Sequence, residues 1–156
     1  MPQEIRPYTP TDKASCLTAF ISNVPVFFTE GEITDYSNFL DSLPQRFAEN
    51  TTQYYVVVVD DEVIGAGGFG DKDNSDKFSL AWGLVHNDFH KKGYGEALLN
   101  HRLTEFKRLY PTKTLVLDTT QHSYTFFAKY GFEVTEFTPD FYEEGMHRYD
   151  MVLNQG

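Results

Sequence analysis

Apolar residues recur along this chain with two periods, which predict a mixed α/β domain. Runs of β-branched and aromatic residues, such as QYYVVVVD, predict strands. Apolar stripes at three- and four-residue spacing predict helices. The predicted strands are 3–7, 53–60, 63–69, 77–85, 114–119, 132–137 and 147–153, and the predicted helices are 12–21, 32–43, 94–109 and 122–130.

Turn residues mark the ends of these elements. Thr9 or Thr11 is the candidate N-cap of the first helix, and Asp60-Asp61-Glu62 joins two strands into a hairpin. Pro111 ends the third helix and Gly131 ends the fourth. Residues 23–28 read as an aromatic loop and 70–76 as a polar connection. Because the sequence contains no repeat or linker, we expect a single domain over residues 1–156.

Composition narrows the class of protein. The 40% hydrophobic and 16% aromatic content exclude a disordered chain. No apolar run approaches the roughly 20 residues that span a bilayer, and the opening MPQEIRPYTP does not resemble a signal peptide. Cys16 is the single cysteine, which permits no internal disulfide and fits a cytoplasmic location. Because Cys16 falls within a helical apolar pattern, we expect it in the core.

The charge balance bears on possible partners. A net charge of −10 argues against nucleic acid and would attract a cationic amine. It also opposes anionic ligands, which would need a local positive site. His86, Asp88 and His90 have no second ligand cluster near them in the sequence, so no metal site is predicted.

The segment 84–99 predicts an anion-binding turn between a strand and a helix. Gly93 and Gly95 open a long amphipathic helix, and glycine allows the backbone to approach a ligand closely. The helix would direct its unpaired N–H groups and positive dipole end at the turn. Lys91 and Lys92 add two positive charges. Together these features predict a cradle for a pyrophosphate group.

This turn resembles the acyl-CoA-binding motif of the GNAT family of N-acetyltransferases. The family motif is Arg/Gln-x-x-Gly-x-Gly/Ala after a strand that ends in Val-x-Pro, and this chain has His90-Lys91-Lys92-Gly93-Tyr94-Gly95 after Val85-His86-Asn87. His90 and Asn87 depart from it, but the backbone amides remain. The predicted order β–α–α–β–β–β–α–β–α–β–β is also that of the family. The resemblance implies the GNAT α/β (α+β) fold: a mixed, mostly antiparallel sheet of seven strands flanked by about four helices.

The resemblance implies transfer of an acetyl group from acetyl-CoA, the cosubstrate, to a primary amine by direct attack in a ternary complex. The acceptor would be a small molecule or a peptide. Gly83, Leu84 and Val85 would offer backbone groups to the pantetheine, and an N–H near Val85 would polarise the thioester carbonyl. The residues implied to hold the pyrophosphate are His90, Lys91, Lys92, Gly93, Tyr94, Gly95 and Glu96.

The segment 119–132 matches the second family signature in part. Its Gly-Phe ending is present, but Thr120 replaces an Asn that commonly helps to hold CoA. Phe127 replaces the Tyr that in many members protonates the leaving thiolate. The CoA thiol has a pKa of about 8.5, so its thiolate leaves with little acid assistance. We therefore expect turnover to persist without the tyrosine. Tyr124 and Tyr130 are substitute proton donors or packing aromatics.

Fewer sequence features support the prediction of a catalytic base and of an acceptor pocket. Family members that use a base often place it at the positions of Ser79 or Ala81. Ser79 could instead hold a water that relays the proton. The candidate acceptor-binding residues are Phe27, Phe28, Glu30 and Tyr36. The aromatic members of this set could equally be core residues, and Glu30 could be solvated.

Two other function classes have sequence features in their favour. The absence of a base on the strand, together with Phe127, leaves open a non-catalytic acyl-CoA-binding or sensing module. The GAGGFG segment from Gly65 to Gly70 formally matches a dinucleotide-binding fingerprint. That fingerprint requires a helix to begin at the glycines, whereas polar loop residues follow here. We therefore interpret these glycines as making room in a strand.

Overall fold

A computed structural model describes residues 3–71 and 77–153. Within these residues the chain forms seven strands and four α-helices, in the predicted order. The strands are β1 (Gln3–Pro7), β2 (Thr52–Val59), β3 (Glu62–Asp71), β4 (Lys77–Val85), β5 (Thr114–Thr119), β6 (Phe132–Glu143) and β7 (Met146–Leu153). The helices are α1 (Lys13–Ile21), α2 (Gly31–Ala48), α3 (Tyr94–Leu109) and α4 (Tyr124–Ala128), with short 3-10 turns at Pro10–Asp12 and Asn87–Phe89.

The described strands form a mixed sheet in the order β1-β2-β3-β4-β5-β7-β6. Pairing is antiparallel between β1 and β2, β2 and β3, β5 and β7, and β6 and β7. It is parallel between β4 and β5. This topology confirms the predicted mixed, mostly antiparallel sheet.

The described residues divide into two compact units. The first comprises 3–70 and 81–111, and the second comprises 71, 77–80 and 112–153. The expectation of a single domain over 1–156 stays a prediction. In the first unit the largest fully buried side chains include Phe20, Tyr36, Leu40, Leu43, Tyr54, Phe69, Leu99 and Phe106. In the second unit the buried apolar residues include Phe78, Leu115, Leu117, Phe132, Met146, Met151 and Leu153.

The start of α1 and the end of α2 differ from the predicted positions. Thr9 precedes a 3-10 turn, where its N–H donates to Asp12 Oδ2 at 2.9 Å, and α1 begins only at Lys13. The predicted end of the second helix at residue 43 was wrong, because α2 continues through Pro44 to Ala48. Phe47 packs against the core one turn after Leu43. Burial of that ring offsets the hydrogen bond that proline cannot make.

In the second unit, β6 is longer than predicted. It extends from Phe132 to Glu143 and includes Pro139, whereas the sequence predicted an end at residue 137. The strand lies at one end of the strand order, where the missing N–H of a proline is tolerated. Helix α4 is shorter than the predicted 122–130. Of the predicted polar connection, Gly70 and Asp71 belong to β3, and 72–76 lie outside the described residues.

Candidate active site

The turn between β4 and α3 has the geometry of an anion-binding site. Gly93 is the N-cap of α3 and adopts a left-handed conformation with a φ of 86°. Its carbonyl accepts the Ala97 N–H at 3.0 Å, which closes the first helical turn. The backbone N–H groups before Ala97 have no partner within an α-helix, so they are directed at the turn. The positive end of the helix dipole adds to their effect.

The space above this turn is open. A Cβ added at Gly93 would meet no atom within 4 Å, and one added at Gly95 would meet only Val85 Cγ2, at 3.9 Å. Lys91 and Lys92 are exposed beside this space, with Lys92 Nζ 5.6 Å from the centroid of the Phe89 ring. Room, N–H groups and positive charge together fit the pyrophosphate of acetyl-CoA. Glu96 is exposed, and Tyr94 and Gly95 are half-buried in the first turn of α3.

The Val85 carbonyl is already engaged by the protein. It accepts Asn23 Nδ2 at 3.0 Å and His90 Nε2 at 2.8 Å. Because a carbonyl only accepts, this contact requires the His90 tautomer that carries its proton on Nε2. Both lone pairs of this oxygen are therefore used. The N–H is the backbone polar group of Val85 that remains for a ligand. Leu84 is buried and Gly83 is exposed.

The predicted acceptor-binding residues divide into two groups. The Phe27 ring contacts His90 edge-on, at 5.4 Å between centroids, so it lies beside the turn. Glu30 is exposed immediately before α2. Phe28 stacks on the buried Phe20, at 4.3 Å between centroids. Tyr36 is fully buried, and burial raises its pKa well above the usual value. For Tyr36 the burial supports the core interpretation, because its ring has no exposed surface to line a pocket.

Two side chains that the sequence reasoning missed bind the backbone near the middle of β4. Tyr54 donates its hydroxyl proton to the Trp82 carbonyl at 2.7 Å, and Arg102 Nη2 donates to the Ala81 carbonyl at 3.2 Å. Trp82 has a φ of 35°, so the strand is kinked where these two donors bind. Arg102 could have been noticed in the sequence. It occupies a polar position on the apolar stripe of α3, four residues from Leu98 and from Phe106.

Of the candidate residues in the second unit, four lie in α4 or within a few residues of it, and Ser79 lies on β4. Thr120 Oγ1 accepts the His122 N–H at 3.2 Å. Phe127 contacts Phe126 and Phe132, and the Tyr124 ring stacks on Tyr149 at 4.1 Å between centroids. The Tyr130 ring contacts Phe126, at 5.4 Å. Ser79 Oγ donates to the Leu80 carbonyl at 3.2 Å. The assignment of these residues to catalysis or CoA binding stays a prediction.

Within residues 3–71 and 77–153, no three His, Cys, Asp or Glu side chains gather as metal ligands would. None of the described helices combines the length and the apolar character required to cross a membrane.

Comparison with solved structures gives the same fold. A ribosomal-protein-alanine N-acetyltransferase of Brucella melitensis superposes with a TM-score of 0.79 at 16% identity, covering 96% of this chain and 98% of that one. The PaiA N-acetyltransferase of Thermoplasma acidophilum, solved with coenzyme A, has a TM-score of 0.74 at 16% identity and covers 99% of both chains. YncA of Salmonella typhimurium, solved with acetyl-CoA, has a TM-score of 0.80 at 19% identity, covering 100% of this chain and 95% of that one.

Sequence comparison establishes the family. A search of curated protein sequences found no match. In contrast, the family profile described as "Acetyltransferase (GNAT) domain" matches residues 26–155, which is most of the chain. The matched region includes the β4–α3 turn and all the elements that follow it. The chain therefore belongs to the GNAT family of acetyltransferases.

Proposed function

We propose that this protein transfers an acetyl group from acetyl-CoA to a primary amine by direct attack in a ternary complex. The observation that carries the proposal is the open space at Gly93 and Gly95, at the N-terminus of α3. A side chain at either glycine would occupy the place where a pyrophosphate meets the backbone amides. Lys91 and Lys92 supply local positive charge in a chain whose net charge is −10.

The reacting end of acetyl-CoA lies along β4 in this proposal. The Val85 N–H polarises the thioester carbonyl, while Asn23 and His90 hold the Val85 carbonyl and so fix the end of the strand. The amine nitrogen attacks the thioester carbon, the C–S bond breaks, and the thiolate leaves. The amine loses its proton to solvent, with a water at Ser79 as the proposed relay.

A covalent enzyme intermediate has no support in the first unit. Cys16 is fully buried, and burial raises the pKa of its thiol to about 12. The thiolate is the nucleophilic form of cysteine, so a thiol with this pKa is unreactive at neutral pH. The burial of this thiol supports the proposed direct attack by the amine. The buried thiol also agrees with the cytoplasmic location that we propose.

The acceptor is proposed to be a cationic amine, either a small molecule or a peptide. The net charge of −10 attracts such a molecule before it loses its proton. Phe27, which lies beside His90, and the exposed Glu30 are the proposed contacts. The Brucella melitensis relative is named for an alanine of a ribosomal protein, so peptides with N-terminal alanine belong in the panel of test amines.

Thermal shift and CoA release test the function together. Acetyl-CoA should raise the melting temperature, because a ligand that binds only the folded state stabilises it, whereas NAD and ATP should not. CoA release should then appear with at least one member of a panel of peptides, polyamines and aminoglycoside-like amines. Absence of any shift at millimolar acetyl-CoA would contradict the central claim.

The alternative is a module that binds acyl-CoA without turnover, and Phe127 is the residue that favours it. In the enzyme, Thr120 and Phe127 are proposed to contact CoA, and either Tyr124 or Tyr130 supplies a proton to the thiolate or the thiolate leaves unaided. Phe127→Tyr should then bind acetyl-CoA normally and release CoA at the wild-type rate or somewhat faster. Phe126→Tyr is the matched control on the same helix. Intact binding with no release from wild type or Phe127→Tyr across the panel would favour the module.

A further inference from the structure

Arg102 is a buried cation in the middle of α3. The residue is 4% exposed, and its guanidinium donates to the Gly68 carbonyl from Nε at 3.1 Å and from Nη2 at 2.9 Å. Nη2 also donates to the Ala81 carbonyl at 3.2 Å. Within the described part of the chain, no carboxylate forms an ion pair with it. A buried charge without a partner of opposite sign is costly, so its retention calls for an explanation.

The backbone on both sides of the guanidinium is shaped to admit it. A Cβ added at Gly67 would lie 3.1 Å from Arg102 Cζ, and one added at Gly83 would lie 2.6 Å from Nη1. The two glycines, one on β3 and one on β4, therefore leave room for the guanidinium in its present position. Burial lowers the Arg102 pKa to about 10, which still leaves the guanidinium charged at neutral pH.

The β4 residues beside Arg102 are the ones that form the kink. Arg102 donates to the Ala81 carbonyl, and Tyr54 donates to the carbonyl of the next residue, Trp82. Trp82 is held at a φ of 35°, which an L-residue rarely adopts without support. Gly83 follows directly, and Val85 is only two residues further along the same strand.

We propose that Arg102 is a positioning residue for acyl transfer, which fixes the β4 kink at Ala81–Gly83 and places a permanent positive charge behind the strand that receives the thioester. The inference rests on the proposed function. Negative charge grows on the thioester carbonyl oxygen as the amine attacks. Because a strand advances about 3.3 Å per residue, Val85 lies about 7 Å along β4 from Gly83. At that range, in a medium with an effective dielectric constant of about 20, a full negative charge on the oxygen would be stabilised enough for about a fiftyfold acceleration, and the partial charge of the transition state enough for about a tenfold acceleration.

The test uses acetyl-CoA labelled with ¹³C at the thioester carbonyl, bound to the full chain. Its ¹³C resonance reports polarisation of the carbonyl and requires no knowledge of the acceptor amine. The variants are Arg102→Met, which removes the charge and the hydrogen bonds, and Arg102→Lys, which keeps the charge. Arg108→Met is the matched control, since Arg108 lies on the same helix but is exposed and paired with Glu105.

Wild type should shift the bound carbonyl resonance downfield of free acetyl-CoA. Arg102→Met should lose part of that shift while its affinity for CoA, which has no thioester, is unchanged. Arg102→Lys should restore most of the shift, and Arg108→Met should match wild type. With a responsive amine, kcat of Arg102→Met should fall about tenfold without a change in KM. A folded Arg102→Met with the wild-type shift would overturn the inference.

A second variant without the Arg102 charge keeps the test usable if Arg102→Met does not fold. In Arg102→Leu with Gly67→Ala, two apolar side chains replace the guanidinium, and the flexible Leu98 side chain, whose Cδ2 would lie 3.1 Å from the new Cβ, has to shift by a few tenths of an ångström. The double variant should fold and lose the same part of the ¹³C shift. Failure of both neutral variants to fold would assign Arg102 to folding alone and overturn the inference. Failure of wild type to bind acetyl-CoA would instead reject the proposed function.

Discussion

Two segments of the first unit share a pair of glycines two residues apart but differ in what surrounds these glycines. In β3, the GAGGFG segment, a Cβ added at Gly68 would lie 1.9 Å from the Gln53 carbonyl oxygen, and one at Gly65 would lie 2.8 Å from the Leu84 carbonyl oxygen. In the HKKGYG turn before α3, a Cβ at Gly93 would meet nothing, and one at Gly95 would make an ordinary contact.

The difference separates two uses of glycine. In β3 the absent side chains let the protein approach itself: neighbouring backbones at Gly65 and Gly68, and a guanidinium at Gly67. In the turn the absent side chains leave space that the described part of the protein does not fill. A pattern of spaced glycines therefore indicates that some group comes close to the backbone. It does not indicate whether that group belongs to the protein or to a ligand. The atoms around each glycine decide between a packing role and a ligand role.

Gly68→Ala should have the largest effect. The new Cβ would overlap the backbone of β2, which cannot move away without breaking the β2–β3 pairing. We expect a loss of stability of about 3 kcal/mol or more, measured by urea denaturation. Gly31→Ala is the matched control, because a Cβ there would meet only Thr29 Oγ1, at 4.0 Å. A wild-type denaturation midpoint for Gly68→Ala would show that the close approach can relax.

Gly95→Val should have the opposite effect to Gly68→Ala: acetyl-CoA binding should be lost while the fold is kept. The side chain would block the amides at the start of α3, and loss of two charge-assisted hydrogen bonds at about 1.5 kcal/mol each lowers affinity about 100-fold. Calorimetry with acetyl-CoA measures the affinity, and circular dichroism checks the fold. Gly31→Val places the same side chain in the first turn of α2 and should bind normally. Wild-type affinity in Gly95→Val would place the cradle elsewhere.

Lys92→Met should have the smallest effect. The charge is exposed, and an exposed charge pair contributes about 0.5–1 kcal/mol, which is about two- to fivefold in affinity. Titrations at low and high salt should show the difference shrinking as salt rises. Lys107→Met removes an exposed charge from the other end of α3 and should leave the affinity unchanged. Equal losses in both variants would point to overall charge instead of a local site.

Much of the fold was predictable because its signals are local. The periodicity of the apolar residues placed all the strands and helices of the described chain, and the glycines and lysines of the turn predicted a cradle before any geometry was known. The errors fell where distant contacts outweigh local preference. Phe47 extends α2 past Pro44 by packing against the core, and the edge position of β6 admits Pro139 within a strand.

The chemistry of individual site atoms depended on the tertiary structure. The sequence places Val85 before the turn, but only the fold shows that Asn23 and His90 both bind its carbonyl. Tyr36 reads equally as a pocket wall or as core until its burial is known.

By itself, the sequence determined the order of elements, the family and the turn at Gly93 and Gly95, because these depend on spacing along the chain. The tertiary structure alone decided that Gly67 of β3 accommodates Arg102 and that the cradle glycines, Gly93 and Gly95, face open space. The physical reason is that hydrogen bonds and steric contacts join atoms far apart in the chain. Arg102 meets Gly68 across 34 residues, a distance that no local pattern encodes.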